Sequence, residues 1–157
     1  MTQDRCPSCG AAVTGGRAGC QALFDEQSAA AYTDVRRAAM HDLFVDTYCM
    51  QHPEEYGRSA KSYAAHLLRL CCGVEMRGEV TRYAAIRRWL DGSSSIVRPE
   101  PPAMRGTMTI VDVAGAPPDR YPDAVRAWAS DVWAAYAAQH AVAREWIASA
   151  IERGTRR

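Results

Sequence analysis

No stretch of this chain is long and apolar enough to cross a bilayer. A spanning helix needs about 20 consecutive apolar residues, and no run in the 157 residues approaches that length. The apolar core of a signal peptide is missing too: Met1 to Arg5 is polar, and no hydrophobic region follows it. Neither sign of charge dominates, with 19 basic side chains against 18 acidic ones and a net charge of +1. Such balance supplies no global field to attract nucleic acid or an anionic membrane. Arg153, Arg156 and Arg157 are read as a solvated basic tail rather than a nucleic-acid arm. There is no internal repeat and no convincing apolar–polar alternation of the kind a half-buried strand requires. These absences predict a cytoplasmic protein, where thiols stay reduced. The six cysteines therefore read as metal ligands or buried thiols, not as a disulfide framework.

What is present is helical. The length fits one domain, 1–157, able to bury its own core. Residues 1–20 form a glycine-rich head, in which Gly10, Gly15, Gly16 and Gly19 argue against regular structure. A helical body is expected over 21–152, followed by the basic tail 153–157. The first helix runs from about Gln21 to Tyr32, and Asp34 caps a second that ends before Pro53. A third runs from about Ser59 to Arg77 and stops at Gly78; a fourth runs from Val80 to Leu90. Residues 91–106 are loop-like, and Thr109 with Asp112 reads as a capping box for a short helix. The last helix starts at Pro122, aligns Val125, Val132, Tyr136, Ala143, Ile147 and Ala150 in one apolar stripe, and stops at Gly154. The fold class is all-α, a single-domain helical bundle with a small metal-bound head.

The head carries the clearest chemistry. Cys6-Pro7-Ser8-Cys9-Gly10 has the spacing that turns two thiolates toward one ion, the first half of a zinc knuckle. Zinc takes four tetrahedral ligands, with sulfur at about 2.3 Å and histidine nitrogen at about 2.0 Å. Cys20 offers a third ligand, and its place just before a helix favours the thiolate. A redox Cys-x-x-Cys and plain unpaired thiols are the competing readings; the first lacks the strand–helix context of thioredoxin-like motifs. The fourth ligand must come from Cys49, Cys71, Cys72 or one of the four histidines. Folding the second helix back on the first across the Thr33 break favours His52, with His66 and His41 next. Cys71, beside Leu67 and Val74 on its helix, reads as a buried structural thiol.

A second set of residues raises a different question. His41, Val45, Tyr48 and His52 share one face of the second helix. His41 and His52 lie about 16 Å apart along it, so they belong to different sites. An antiparallel third helix places His66 near His41, and His140 sits within the last apolar stripe, which permits a His41/His66/His140 cluster between helices. Asp46 or Asp42 would orient an imidazole or act as a base. The plainer reading makes each histidine a hydrogen-bonded core residue, and Tyr48 and Tyr63 packing residues with wet hydroxyls.

Taken in order, the Cys-Pro-x-Cys-Gly head, Gly19-Cys20, His41 to Tyr48 leading into Gln51-His52-Pro53, and Ser62 with His66-Leu67 and Cys71 resemble a bacterial family of small proteins known as a domain of unknown function. The resemblance extends to Thr109–Val113 and the Trp-rich last helix, and Val45-Asp46-x-Tyr48-x-x-Gln51-His52-Pro53 is its most specific part. It implies no activity. It singles out Cys6, Cys9, Cys20, His41, Asp46, Gln51, His52 and His66.

Two functions follow as expectations. The first is a zinc-stabilised helical protein with a structural site at Cys6, Cys9, Cys20 and His52. It would bind a small molecule or partner protein near the second and third helices. The second is a zinc enzyme activating water for hydrolysis, deamination or a related addition, with His41, Asp46 and His66 as the catalytic set. A nucleic-acid module fits less well, for want of a basic recognition helix.

Overall fold

The centre of the protein is α2 (Val35–Gln51), whose last six residues, Asp46 to Gln51, are all buried. A helix buried on every side near its end must be covered all round. In this computed structural model, which describes residues 4–92 and 95–155, α7 (Tyr121–Ala135) and α4 (Ala60–Glu75) pack along α2, while α1 (Gly16–Ala30) and the short α3 (Pro53–Tyr56) approach its C-terminal half. A second layer is formed by α8 (His140–Thr155), which packs on α5 (Val80–Asp91) and α4. The short α6 (Ile110–Ala114) packs against α7 and α1. Among the described residues there is no named strand, and one isolated antiparallel bridge joins Arg5 to Ala12 in the head. The fold is all-α with a small cysteine-bearing head, as the sequence predicts. Ser93 and Ser94 of the expected loop, and Arg156 and Arg157 of the expected tail, lie outside the described residues.

Local chemistry accounts for most boundaries. Asp34 caps α2 by accepting from the Arg36 and Arg37 amides, and Ser59 caps α4 by accepting from Ser62. Thr109 and Asp112 form both halves of the capping box of α6. Four expectations need correction. First, α1 begins at Gly16, not near Gln21. Gly15 (φ 83) and Gly16 (φ 56) turn the chain in left-handed geometry. Gly19 sits where a Cβ would come within 1.9 Å of the Thr14 carbonyl, so these glycines let the head fold tightly onto the helix instead of preventing structure.

Second, α4 ends at Glu75, and Arg77 takes the left-handed conformation (φ 54) before Gly78. Third, α3 was not expected; it is a single turn opened by Pro53. It is clamped through ion pairs of Glu54 with Arg105 and of Glu55 with Arg17. Fourth, the last helix is two helices. The stripe Val125, Val132, Tyr136, Ala143, Ile147 and Ala150 is buried throughout, but a 3₁₀ turn at Ala137–Gln139 separates α7 from α8, and Gly154 lies inside α8. The break contains neither glycine nor proline. Tertiary hydrogen bonds hold it: Tyr136 donates to the Met50 carbonyl (2.6 Å), and Gln139 accepts from Tyr63 (2.8 Å) and donates to the Glu100 carbonyl (2.8 Å).

The packing of α8 on α4 carries a pH-dependent contact. Arg144 donates to both oxygens of Glu75 (2.9 and 2.7 Å), and the Trp133 indole donates to one of them (2.8 Å). These donors, Arg144 first, hold the Glu75 carboxyl down to about 2. The folded value lies below the unfolded one, about 4.3. The stabilisation is therefore complete above the unfolded value and is lost as pH falls toward the folded one. In paired acid titrations of wild type and Glu75→Gln, wild type should be the more stable at pH 7. The gap should close between about pH 4 and pH 2; a gap unchanged across that window would contradict the assignment.

Candidate metal centre

The head is a tight loop closed on itself. The Cys6 amide bonds the Ala11 carbonyl (2.9 Å), the Gly10 amide bonds the Cys6 carbonyl (2.8 Å), and Gly10 adopts φ 78. This turn aims Cys6 and Cys9 in one direction. Cys20 reaches the same point from α1, and His52 reaches it from the C-cap of α2. The ligand atoms of Cys6, Cys9, Cys20 and His52 all lie within 4.8 Å of one another, close enough to hold a metal ion. Nε2 of His52 is 3.6 Å from the sulfur of Cys6 and 3.6 Å from that of Cys20, and the Cys9 and Cys20 sulfurs are 3.8 Å apart. Cys6, Cys20 and His52 are buried and Cys9 is half-buried.

The surroundings fix these atoms. Nδ1 of His52 bonds the Tyr48 carbonyl (2.7 Å), one turn back along α2, so Nε2 faces the sulfurs. The Tyr48 ring stacks on Phe24 of α1 at 4.0 Å and lies 4.1 Å from the His52 ring. Its hydroxyl donates to the Cys20 sulfur (3.6 Å) and accepts from Arg17 (2.7 Å), whose guanidinium also pairs with Glu55. The Tyr48 hydroxyl expected to be wet is thus committed to the centre, and burial, with Cys20 beside it, pushes its ionisation up. Cys20 lies one turn inside α1, so its thiolate is favoured less by the helix terminus than by donors. Contact with Cys9, then with His52 and Tyr48, lowers the Cys20 thiol, while the same contact with Cys20 pushes Cys9 up.

The other cysteines lie outside this cluster. Cys49, Cys71 and Cys72 are buried free thiols, which burial pushes up to about 12, 12 and 11.

The histidine cluster does not form. Among the described residues, the cysteine–histidine set is the only group of three or more such ligands. Nε2 of His140 bonds the Trp133 carbonyl (2.8 Å), with its ring stacked on that indole at 4.0 Å. This is the core-residue reading, and it keeps His140 between α7 and α8. His41 stays half-buried near the start of α2. Asp46 and His66 do meet: Nδ1 of His66 lies 2.9 Å from Oδ1 of Asp46, whose side chain is fully buried. Arg69 approaches the other oxygen at 3.0 Å, a charge contact without hydrogen-bond alignment, and also pairs with Asp42 at 3.3 Å. Burial raises the Asp46 carboxyl, and the His66 and Arg69 contacts oppose that shift. Open grooves of about 770 and 570 Å³ lie between α2, α4 and α5, both lined by Asp42, Val80 and Tyr83; the larger also meets α7 at Arg126 and Ser130, and Arg69 lines the smaller.

Fold and centre together define a helical protein whose cysteine head meets its central helix at a three-cysteine, one-histidine cluster able to hold a metal ion. A family model described as "Family of unknown function (DUF5946)" matches residues 4–137, and the chain belongs to that family. The matched segment holds all four residues of the cluster together with Asp46, Tyr48, Gln51 and His66. No curated protein and no solved structure matches the chain.

Proposed function

We propose that Cys6, Cys9, Cys20 and His52 hold one structural zinc ion, and that the protein is a cytoplasmic, single-domain binding or accessory protein. The observation that carries this reading is the spacing of the ligand atoms. A tetrahedral zinc with sulfur at about 2.3 Å and nitrogen at about 2.0 Å requires edges of about 3.8 Å between sulfurs and about 3.5 Å between sulfur and nitrogen. The cluster has a sulfur pair at 3.8 Å and two sulfur–nitrogen pairs at 3.6 Å. Four protein ligands leave no position for water, which favours a structural site over a hydrolytic one. The His52–Tyr48 carbonyl contact is the kind of outer support that fixes a metal-bound imidazole.

The grooves beside Asp42 and Tyr83 support a binding role for a small molecule or peptide at the α2–α4–α5 face. The enzymatic reading keeps one supporting observation. Asp46 holds Nδ1 of His66 and turns Nε2 away from itself, the arrangement of an oriented general base. His41 would belong to that reading only as a residue on the same helix face.

The test is elemental and native mass spectrometry of protein purified without chelators. One zinc per chain is expected. A metal-free, folded chain would overturn the structural reading, and a second bound metal would move the balance toward the enzyme.

A further inference from the structure

We infer that Cys9 and Cys20 are a thiol-oxidation site for hydroperoxides, at which disulfide formation expels the metal and releases the head from α2. The inference rests on the zinc reading above and adds a chemistry to it.

Three features of the cluster point to this pair. The Cys9 and Cys20 sulfurs are 3.8 Å apart, in contact. Cys9 is the one half-buried member of a set whose other members are buried, and it lies on a tight turn beside exposed Pro7 and Gly10. An oxidant therefore reaches Cys9 first, and the turn can yield where a helix cannot. Cys6 is covered as Cys20 is, but the sulfur in contact with Cys9 is that of Cys20. The cysteines outside the cluster, Cys49, Cys71 and Cys72, are buried, so an oxidant in solution does not reach them before Cys9.

The steps balance as follows. The Cys9 sulfur, which zinc would hold as thiolate, attacks the outer peroxide oxygen: a sulfur–oxygen bond forms, the oxygen–oxygen bond breaks, and the leaving oxygen takes a proton to depart as alcohol or water. The Cys20 thiolate then attacks the Cys9 sulfur; the disulfide forms, the sulfur–oxygen bond breaks, and the departing hydroxide is protonated to water. Two thiolates lose two electrons, the hydroperoxide gains them, and zinc leaves as the divalent ion. Only Cys6 and His52 then remain as ligands, half of a tetrahedral set. The Cys6–His52 link from the head to α2 is lost with the metal. The internal hydrogen bonds of the head, such as those of Cys6 with Ala11 and of Gly10 with Cys6, do not depend on it.

The experiment treats the purified, zinc-loaded chain with graded hydrogen peroxide. Released zinc is followed with a metallochromic dye. Thiols are then alkylated under denaturing conditions, and disulfides are mapped by peptide mass spectrometry. One zinc released per disulfide, with the bridge at Cys9–Cys20, is the expected result. A thiol reductant plus zinc should restore both the metal and the free thiols. Zinc retained at excess peroxide would overturn the inference while leaving the zinc reading intact. So would release with a bridge elsewhere, or with only sulfinic acid formed. A chain that carries no zinc before peroxide is added would overturn the metal reading, and this inference with it.

Discussion

Replacing Cys20 with serine should abolish metal binding and destabilise the protein by more than about 4 kcal/mol, the range in which a lost metal is one of few sufficient causes. Cys20 contacts two of the other three cluster residues and the tyrosine that supports them: its sulfur lies 3.8 Å from Cys9, 3.6 Å from His52 and 3.6 Å from the Tyr48 hydroxyl. A serine oxygen is a harder and shorter ligand than a thiolate, so zinc loses the donor that joins head to helix. The buried His52 and Tyr48 groups then lose their partner as well. For a chain of this size the cost corresponds to a fall in melting temperature of roughly 10 °C. Proteolysis should also begin within the head. Cys49→Ser is the matched control, since Cys49 is equally buried but stands outside the cluster. It should cost about 1 kcal/mol and keep the metal. A Cys20→Ser protein that retains its metal, or that melts with Cys49→Ser, would refute the assignment.

The second large effect is expected at Gln51. Its amide nitrogen donates to the carbonyls of Arg105 (2.9 Å) and Met108 (2.8 Å), and its oxygen accepts from the Trp128 indole (3.1 Å). One fully buried side chain thus pins the segment before α6 and the middle of α7 to the end of α2. Gln51→Leu keeps approximate volume and strands all three partners. Unsatisfied buried groups cost about 1–3 kcal/mol each, so a loss on the order of 4 kcal/mol should appear in denaturant unfolding. Gln51→Glu should be worse at neutral pH, because an oxygen replaces the donor facing two carbonyls and a charge is buried. Both variants should weaken metal binding, since Gln51 directly precedes His52 of the cluster in the chain. Stability within about 1 kcal/mol of wild type for Gln51→Leu would show that the network is replaceable.

Much of this was legible in the residues, for identifiable reasons. Helix starts at Asp34, Ser59 and Thr109 could be read because a capping side chain acts within its own turn. Cys6, Cys9 and Cys20 could be read from their spacing in the head, and His52 from the break at Thr33 and the rise of two helices. The role of Gln51 was not legible, because its partners lie more than fifty residues away, at Arg105, Met108 and Trp128. The break at Ala137–Gln139 was hidden for the same reason: its causes are Met50, Tyr63 and Glu100, while its own residues favour helix. The histidine cluster that the sequence permits does not form, because helical phase alone places a side chain on a face and does not say which neighbour it meets. His66 found Asp46 and His140 found Trp133. The signal that separates them was the ordering of Asp46 four residues after Asp42 on α2, opposite His66 and Arg69 on α4, a pattern of charges across two helices.

X-ray absorption at the zinc edge tests the central claim most directly. The expected spectrum has three sulfurs at about 2.3 Å and one nitrogen at about 2.0 Å, with no further light scatterer in the first shell. Cys9→Ser should remove a sulfur or the metal itself. A first shell containing a water oxygen, or fewer than three sulfurs in the wild-type protein, would contradict a closed structural centre at Cys6, Cys9, Cys20 and His52.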